Sequence, residues 1–339
     1  MSNVVLQPLD AVADIGGLDR TICPGCGNGD AKDFLQGPDR FNGRRKLYRL
    51  VRCSQCSLVF LRNPPPASEM AEHYGSDYDR LIGKGASSLG YWEPRKRLIS
   101  HYKAAGTLLD LGCSSGSFLE SMRGPHWQLA GIEMSADAAK MAEARSGGQI
   151  FHGDILEASF PPESFDVITC FDVLEHVYEP RSVLAKVREW LKPDGIFYLM
   201  VPNIDSAAVR VFRSYWYGLE LPRHLTHFSP DSLRAMAAVV GLETTALPAN
   251  RFPAVEYSAR YLVDDLLRGM GASRTPLSLT PELGIPGRIA RKAFRLCILP
   301  LVHIGISLVG PEEYIHAVLT KNMSFTSTPR GARAQDLVL

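Results

Sequence analysis

Three carboxylates stand where short apolar runs end: Asp110 in "TLLDLG", Glu133 in "WQLAGIE" and Asp154 in "GQIFHGD". A turn follows the first, with Gly112 and Gly116 enclosing Cys113, Ser114 and Ser115. The dinucleotide fingerprint G-x-G-x-x-G, laid on Gly112, needs glycines where Ser114 and Ser117 stand, and no lysine follows as a P-loop requires. A phosphate would also meet the Asp110 carboxylate and be repelled. The two glycines instead let a neutral or cationic ligand approach the backbone. Glu133, about 20 residues beyond the turn, is placed to accept from ribose hydroxyls. Asp154 could accept from an adenine amino group. The three carboxylates together describe a site for a positively charged nucleoside without phosphates.

Two other groupings carry chemistry. Cys23 and Cys26 ("CPGCG") and Cys53 and Cys56 ("CSQC") are pairs with two intervening residues. Four thiolates so spaced make a closed, structural zinc site, and residues 27 to 52 leave room for a hairpin. His224 and His227 lie three apart in "LELPRHLTHFSP". As a metal pair they lack a third ligand in view; as bases, imidazoles can take the proton of an attacking hydroxyl. His176 in "LEHV" is the third candidate base, and Tyr215, Trp216 and Tyr217 could stack on a ligand or pack in a core.

These residues need elements to hold them. From Thr107 onward, apolar runs ("TLLDLG", "WQLAGIE", "GQIFHGD", "FDVITCF", "GIFYLMVP") alternate with helical stretches ("SADAAKMAEARS", "PRSVLAKVREWLK"), and "EYIHAVLTKN" reads as a closing strand. Such alternation predicts an α/β fold with a mostly parallel sheet and helices on both faces. The expected divisions are an extension over 1–19, a zinc-ribbon-like module over 20–66, a helical linker over 67–105, the α/β domain over 106–322 with a helical insertion at 251–312, and a flexible tail over 323–339.

Of 339 residues, 45% are hydrophobic and 22% charged, with a formal net charge of +1. No global field therefore drives the chain onto nucleic acid or membrane, and any such contact needs a local patch. Two patches exist. The cysteine module is basic (Lys32, Arg40, Arg44, Arg45, Lys46, Arg49, Arg52, Arg62 against Asp30, Asp33, Asp39), which suits RNA phosphates, a substrate diphosphate, or plain solvation. In the insertion, Arg288, Arg291, Lys292 and Arg295 form a helical stripe before an apolar run over 296–310. That run is shorter than the ~20 residues of a membrane span, so 286–312 is expected to lie on a membrane surface or to bury itself. The N-terminus shows no export signal, and the expected location is cytoplasmic, with peripheral contact at the inner membrane face through that segment.

The motifs "LLDLGCSSGSFL", "GIEMS", "HGDI", "FDVITCFDVLEHVYEP" and "LKPDGIFYLMVPN", in that order, resemble the class I S-adenosylmethionine-dependent methyltransferases. The resemblance implies a Rossmann-like seven-stranded sheet with a reversed last strand. It implies that Asp110, Gly112, Cys113 and Gly116 frame the methionine part of the donor. It further implies that Glu133 and Met134 meet the ribose side, that Asp154 and Ile155 meet the adenine, and that Phe171, Asp172 and Val173 line the pocket. Ser114 departs from the glycine commoner in that motif, which implies a slightly reshaped loop. The cysteine segment resembles the zinc-binding module preceding bacterial methyltransferases of sugar and cell-surface glycan pathways. The expected acceptor is accordingly a small molecule, a sugar or a lipid-linked glycan. Two readings compete: a zinc-containing RNA methyltransferase, and a non-catalytic protein that binds zinc and a nucleoside.

Overall fold

The computed structural model describes residues 20–44, 46–74, 89–246, 257–259, 261–262 and 312–325. The expectations for 1–19, for the basic stripe and apolar run of 286–310 and for the tail beyond 325 fall outside the described residues. In chain order come β1 (Ala31–Pro38), β2 (Leu47–Cys53), β3 (Val59–Leu61), α1 (Ala67–Met70), α2 (Leu89–Tyr102), β4 (Gly106–Leu111), α3 (Ser117–Ser121), β5 (Trp127–Glu133), α4 (Ala136–Ser146), β6 (Gln149–His152) and β7 (Phe165–Phe171). Then follow α5 (Pro180–Trp190), β8 (Leu191–Pro202), α6 (Ala207–Phe212), β9 (Thr226–His227), α7 (Pro230–Val239), β10 (Leu242–Ala246) and β11 (Tyr314–Lys321).

The large sheet has seven strands in the order β10-β11-β8-β7-β4-β5-β6. The strands from β6 to β8 run parallel, and β11 opposes both its neighbours. This is the reversed strand the resemblance implied. Central strands covered on both faces need near-continuous apolar runs, and β4 and β8 supply them. Helix α5 starts on Pro180 and buries Val183, Leu184, Val187 and Trp190, one stripe at helical spacing. Helix α4 is bounded by the Ser135 side chain, which accepts the Ala138 N–H, and by left-handed Gly147.

A second, antiparallel sheet has four strands, β1-β2-β3-β9. The expected hairpin between the cysteine pairs is β1 with β2. Its sheet is not closed within 20–66, because the last strand, β9, comes from the segment after β8. Two residues are too short a run to read as a strand from sequence. The apolar core is correspondingly shared: Cys23, Cys26, Val51, Leu58 and Phe60 pack in one cluster with Leu174, Phe228, Leu233 and Met236. The cysteine hairpin is thus fixed against the carboxyl edge of the large sheet.

Candidate functional site

Beyond β4 the chain turns through Gly112 (φ +68°) and Gly116 (φ +79°). A Cβ on Gly112 would lie 2.5 Å from Val173 Cγ2, and one on Gly116 2.6 Å from Ala142 Cα, so both positions exclude side chains. Ser114 is also left-handed (φ +48°), uncommon for serine. Its N–H donates to Glu133 Oε2 at 2.9 Å, and the Ser135 N–H donates to Glu133 Oε1 at 2.8 Å. Glu133 therefore joins the glycine turn to the loop after β5.

Asp110 is only 4% exposed and accepts the Thr169 hydroxyl at 2.6 Å. Burial pushes its carboxyl up to about 7, and the Glu133 charge adds to that. It braces the sheet beneath the turn. Asp154 Oδ1 accepts the Leu156 N–H at 2.7 Å, with Ile155 buried beside it. Met134, 67% exposed, stands at the lip. Phe171 packs edge-on against Phe118 and Tyr198, and Asp172 (φ +56°) follows it. Burial raises Asp172 to about 7, an effect Arg95 opposes and Glu220 reinforces. The Cys113 thiol is buried and pushed up by desolvation and by Asp110 and Glu133, which leaves it inert.

Immediately beyond Asp172, Leu174–His176 form a 3-10 turn. Glu175 is 1% exposed, and neither of its carboxylate oxygens meets a hydrogen-bond partner among the described residues. His176 Nδ1 lies 3.0 Å from Tyr74 Oη and 3.2 Å from the Arg223 carbonyl oxygen. His224 Nδ1 lies 2.8 Å from the Gly218 carbonyl oxygen, and its Nε2 3.4 Å from Glu220 Oε2. The two rings meet edge to face at 4.5 Å. The Leu225 N–H donates to the Glu175 carbonyl at 2.8 Å, which fixes the two segments together. One ligand atom from each of Glu175, His176 and His224 lies within 4.8 Å of the others. Desolvation lowers His176 to about 4 and His224 well below its ordinary value, so both are neutral at neutral pH.

His227 is placed differently. It sits on β9 opposite Val59, and its Nε2 lies 3.1 Å from the Leu219 carbonyl. His224 thus packs on His176 at 4.5 Å on one side and has the His227 ring 6.0 Å away on the side of the cysteine sheet. The aromatic triplet also separates: Trp216 is core, Tyr217 stacks on Tyr257, and Tyr215 lines a cleft of about 640 Å³ with Phe34, Arg49 and Arg213. Apart from Tyr215, none of the candidate donor-binding, base or metal-ligating residues lines that cleft.

In the small sheet, Cys23 Sγ lies 3.6 Å from Cys56 Sγ, and Cys26 Sγ 3.5 Å from Cys53 Sγ. All four sulfurs lie within 4.8 Å of one another. Zinc at 2.3 Å from four tetrahedral sulfurs sets them about 3.8 Å apart, so the set fits that ion. The two turns match: the Gly27 N–H donates to the Cys23 carbonyl at 3.0 Å and the Ser57 N–H to the Cys53 carbonyl at 3.1 Å. Both closing residues are left-handed.

Comparison with known proteins now decides the family. Residues 79–247 match the family described as "Methyltransferase domain". The ubiquinone biosynthesis O-methyltransferase of Thiobacillus denitrificans is 32% identical over 156 residues, covering 42% of this chain and 67% of that protein. That of Glaesserella parasuis is 36% identical over 111 residues, covering 30% of this chain and 47% of that protein. The chain belongs to the class I S-adenosylmethionine-dependent methyltransferases. Among solved structures, a complex of the Haloferax volcanii Trm112 methyltransferase activator with a methyltransferase matches at TM-score 0.48 and 16% identity, covering 74% of this methyltransferase and 95% of that chain. A methyltransferase from Archaeoglobus fulgidus matches at 0.47 and 16%, covering 72% and 99%. The expected likeness to glycan pathways finds no support in the names of these relatives.

Sequence reasoning missed three residues of this methyltransferase site. Arg95, from α2, is buried with its guanidinium over Tyr91, Trp92 and Phe171 at 4.6, 5.2 and 5.6 Å. In "EPRKR" it reads as one more surface charge. Glu175 stands in "LEHV" beside His176, and its near-complete burial is a tertiary property that the tetrapeptide does not show. Glu220 lies in the loop before His224, at a left-handed φ of +35°.

Proposed function

We propose that the enzyme transfers the methyl group of S-adenosylmethionine to a hydroxyl of a small molecule. When bound, the donor supplies an electrophilic methyl on sulfonium, displaced in line by an oxygen held close to it. Glu133 takes the ribose hydroxyls, exchanging its present backbone donors for them. Asp154 and Ile155 take the adenine, with Met134 at the lip. Gly112, Cys113 and Gly116 bring backbone to the methionine part, above Asp110. Phe171, Asp172 and Val173 wall the hollow, and Arg95 supplies positive charge for a carboxylate. Cys23, Cys26, Cys53 and Cys56 hold a zinc ion that stabilises the hairpin on which β9 is built.

The observation that carries the acceptor reading is the position of Glu175, His176 and His224. Glu175 and His176 lie in the turn that follows Asp172, and His224, from the segment after β8, is brought against them. Neutral imidazoles and the buried Glu220 carboxylate beside them suit an acceptor whose proton must leave. Relatives at 32% and 36% identity are named O-methyltransferases, which supports oxygen as the attacking atom. The test is incubation with methyl-labelled donor and fractionated bacterial extract. Label in water-soluble or lipid-soluble small molecules as methyl ethers supports the reading; label confined to RNA, or to carbon or nitrogen, contradicts it.

A further inference from the structure

We infer that Glu175, His176 and His224 form a second metal site, distinct from the cysteine cluster, for a divalent transition-metal cation. The sequence offered His224 and His227 without a third ligand. The structure groups His224 with two ligands from the turn after β7, and His227, whose ring lies 6.0 Å from that of His224, stands outside that set.

Four observations converge. First, Glu175 is buried at 1% exposure, with both oxygens lacking any hydrogen-bond partner among the described residues. A buried carboxylate left so is costly unless something positive meets it. Second, each imidazole has its Nδ1 against a backbone carbonyl, Arg223 for His176 and Gly218 for His224. A carbonyl only accepts, so at His224 Nδ1 carries the proton and Nε2 keeps its lone pair, while at His176 the same Nδ1 also meets the Tyr74 hydroxyl at 3.0 Å, which can donate or accept. Metal-binding histidines are typically oriented by such a bond on the other nitrogen. Third, the ligand-bearing segments are tied by the Leu225 N–H to the Glu175 carbonyl, so the set is preorganised. Fourth, Glu220 Oε2, 3.4 Å from His224 Nε2, adds a further carboxylate beside the set.

Two nitrogens with carboxylate oxygen suit manganese, iron, cobalt or zinc better than magnesium or calcium. What the cation does rests on the acceptor reading above; that it binds does not. Coordinated there, the acceptor hydroxyl becomes more acidic. Its proton passes to the Glu220 carboxylate, the oxygen forms the new C–O bond to the methyl carbon, and the C–S electron pair stays with sulfur.

The test is an Mn²⁺ titration of the full, zinc-loaded chain, followed by electron paramagnetic resonance. One saturable Mn²⁺ per chain is expected beyond the zinc. Glu175→Gln and His224→Asn should each weaken it about tenfold or more, and His176→Asn should do the same. His227→Asn should bind Mn²⁺ like the parent protein. Donor affinity and thermal unfolding of each variant report whether it has folded. Absence of saturable binding, or equal affinity in all folded variants, overturns the inference. Failure of label to reach a hydroxyl would instead sink the acceptor reading and leave the titration standing.

Discussion

Glu133 Oε2 accepts the Ser114 N–H at 2.9 Å, so the end of β5 holds the glycine turn in place. The same carboxylate is the proposed ribose acceptor. Glu133→Gln should keep the backbone contact in part but lose charge-assisted bonds to two hydroxyls. Donor affinity should fall by about tenfold to a hundredfold, as for charged hydrogen bonds worth ~1.5–3 kcal/mol. Titration calorimetry measures it, and an unchanged affinity would remove Glu133 from the site.

The cysteine sheet predicts a second effect. Cys53→Ser should abolish one zinc per chain and lower the melting temperature markedly, because zinc bound only by the folded hairpin contributes folding energy. Since β3 pairs with β9, the segment carrying His224 should loosen with it. Metal analysis and hydrogen exchange at Leu225 report both parts. A variant that lost zinc yet melted like the parent would contradict the coupling.

Stability should also depend on pH through Asp110. Its folded-state pKa is raised to about 7 from 3.8. Below about 4 both states are protonated, and the group is neutral to stability. Between about 4 and 7 the unfolded chain gives up the proton and the folded chain keeps it, so stability is lost as pH rises, fully by about 7. The loss is on the order of 4 kcal/mol. Asp110→Asn still accepts from Thr169 and escapes this loss. Its melting temperature should gain on the parent between pH 4 and pH 8, and a constant difference would show the shift to be absent.

Much of this was legible in the residues. Of the strands that carry the site, β4 and β7 are largely buried apolar runs while β5 and β6 are partly exposed, yet the carboxylates at or just beyond the ends of β4, β5 and β6 show without any tertiary information. The cysteine spacing likewise announces itself, because ligand geometry is local. What was hidden is long-range. The two-residue strand β9 exists only because β3 offers it an edge, and that pairing brings His224 to Glu175. Arg95 lies within a run of charged and polar residues, and only the packing of α2 turns it inward. The resemblance frames Asp110 with the methionine part, and the bond its Oδ1 accepts from Thr169 on the neighbouring strand is a contact that only the paired sheet reveals.

The central claim is that the methyl donor sits on the carboxyl edge of β4, β5, β6 and β7. A crystal structure with S-adenosylhomocysteine tests it most directly. The account predicts the ribose on Glu133, the adenine beside Asp154 and Ile155, and the sulfur facing Asp172 and the Glu175–His176–His224 group. The nucleoside bound at another place, such as the cleft beside Tyr215, would contradict it.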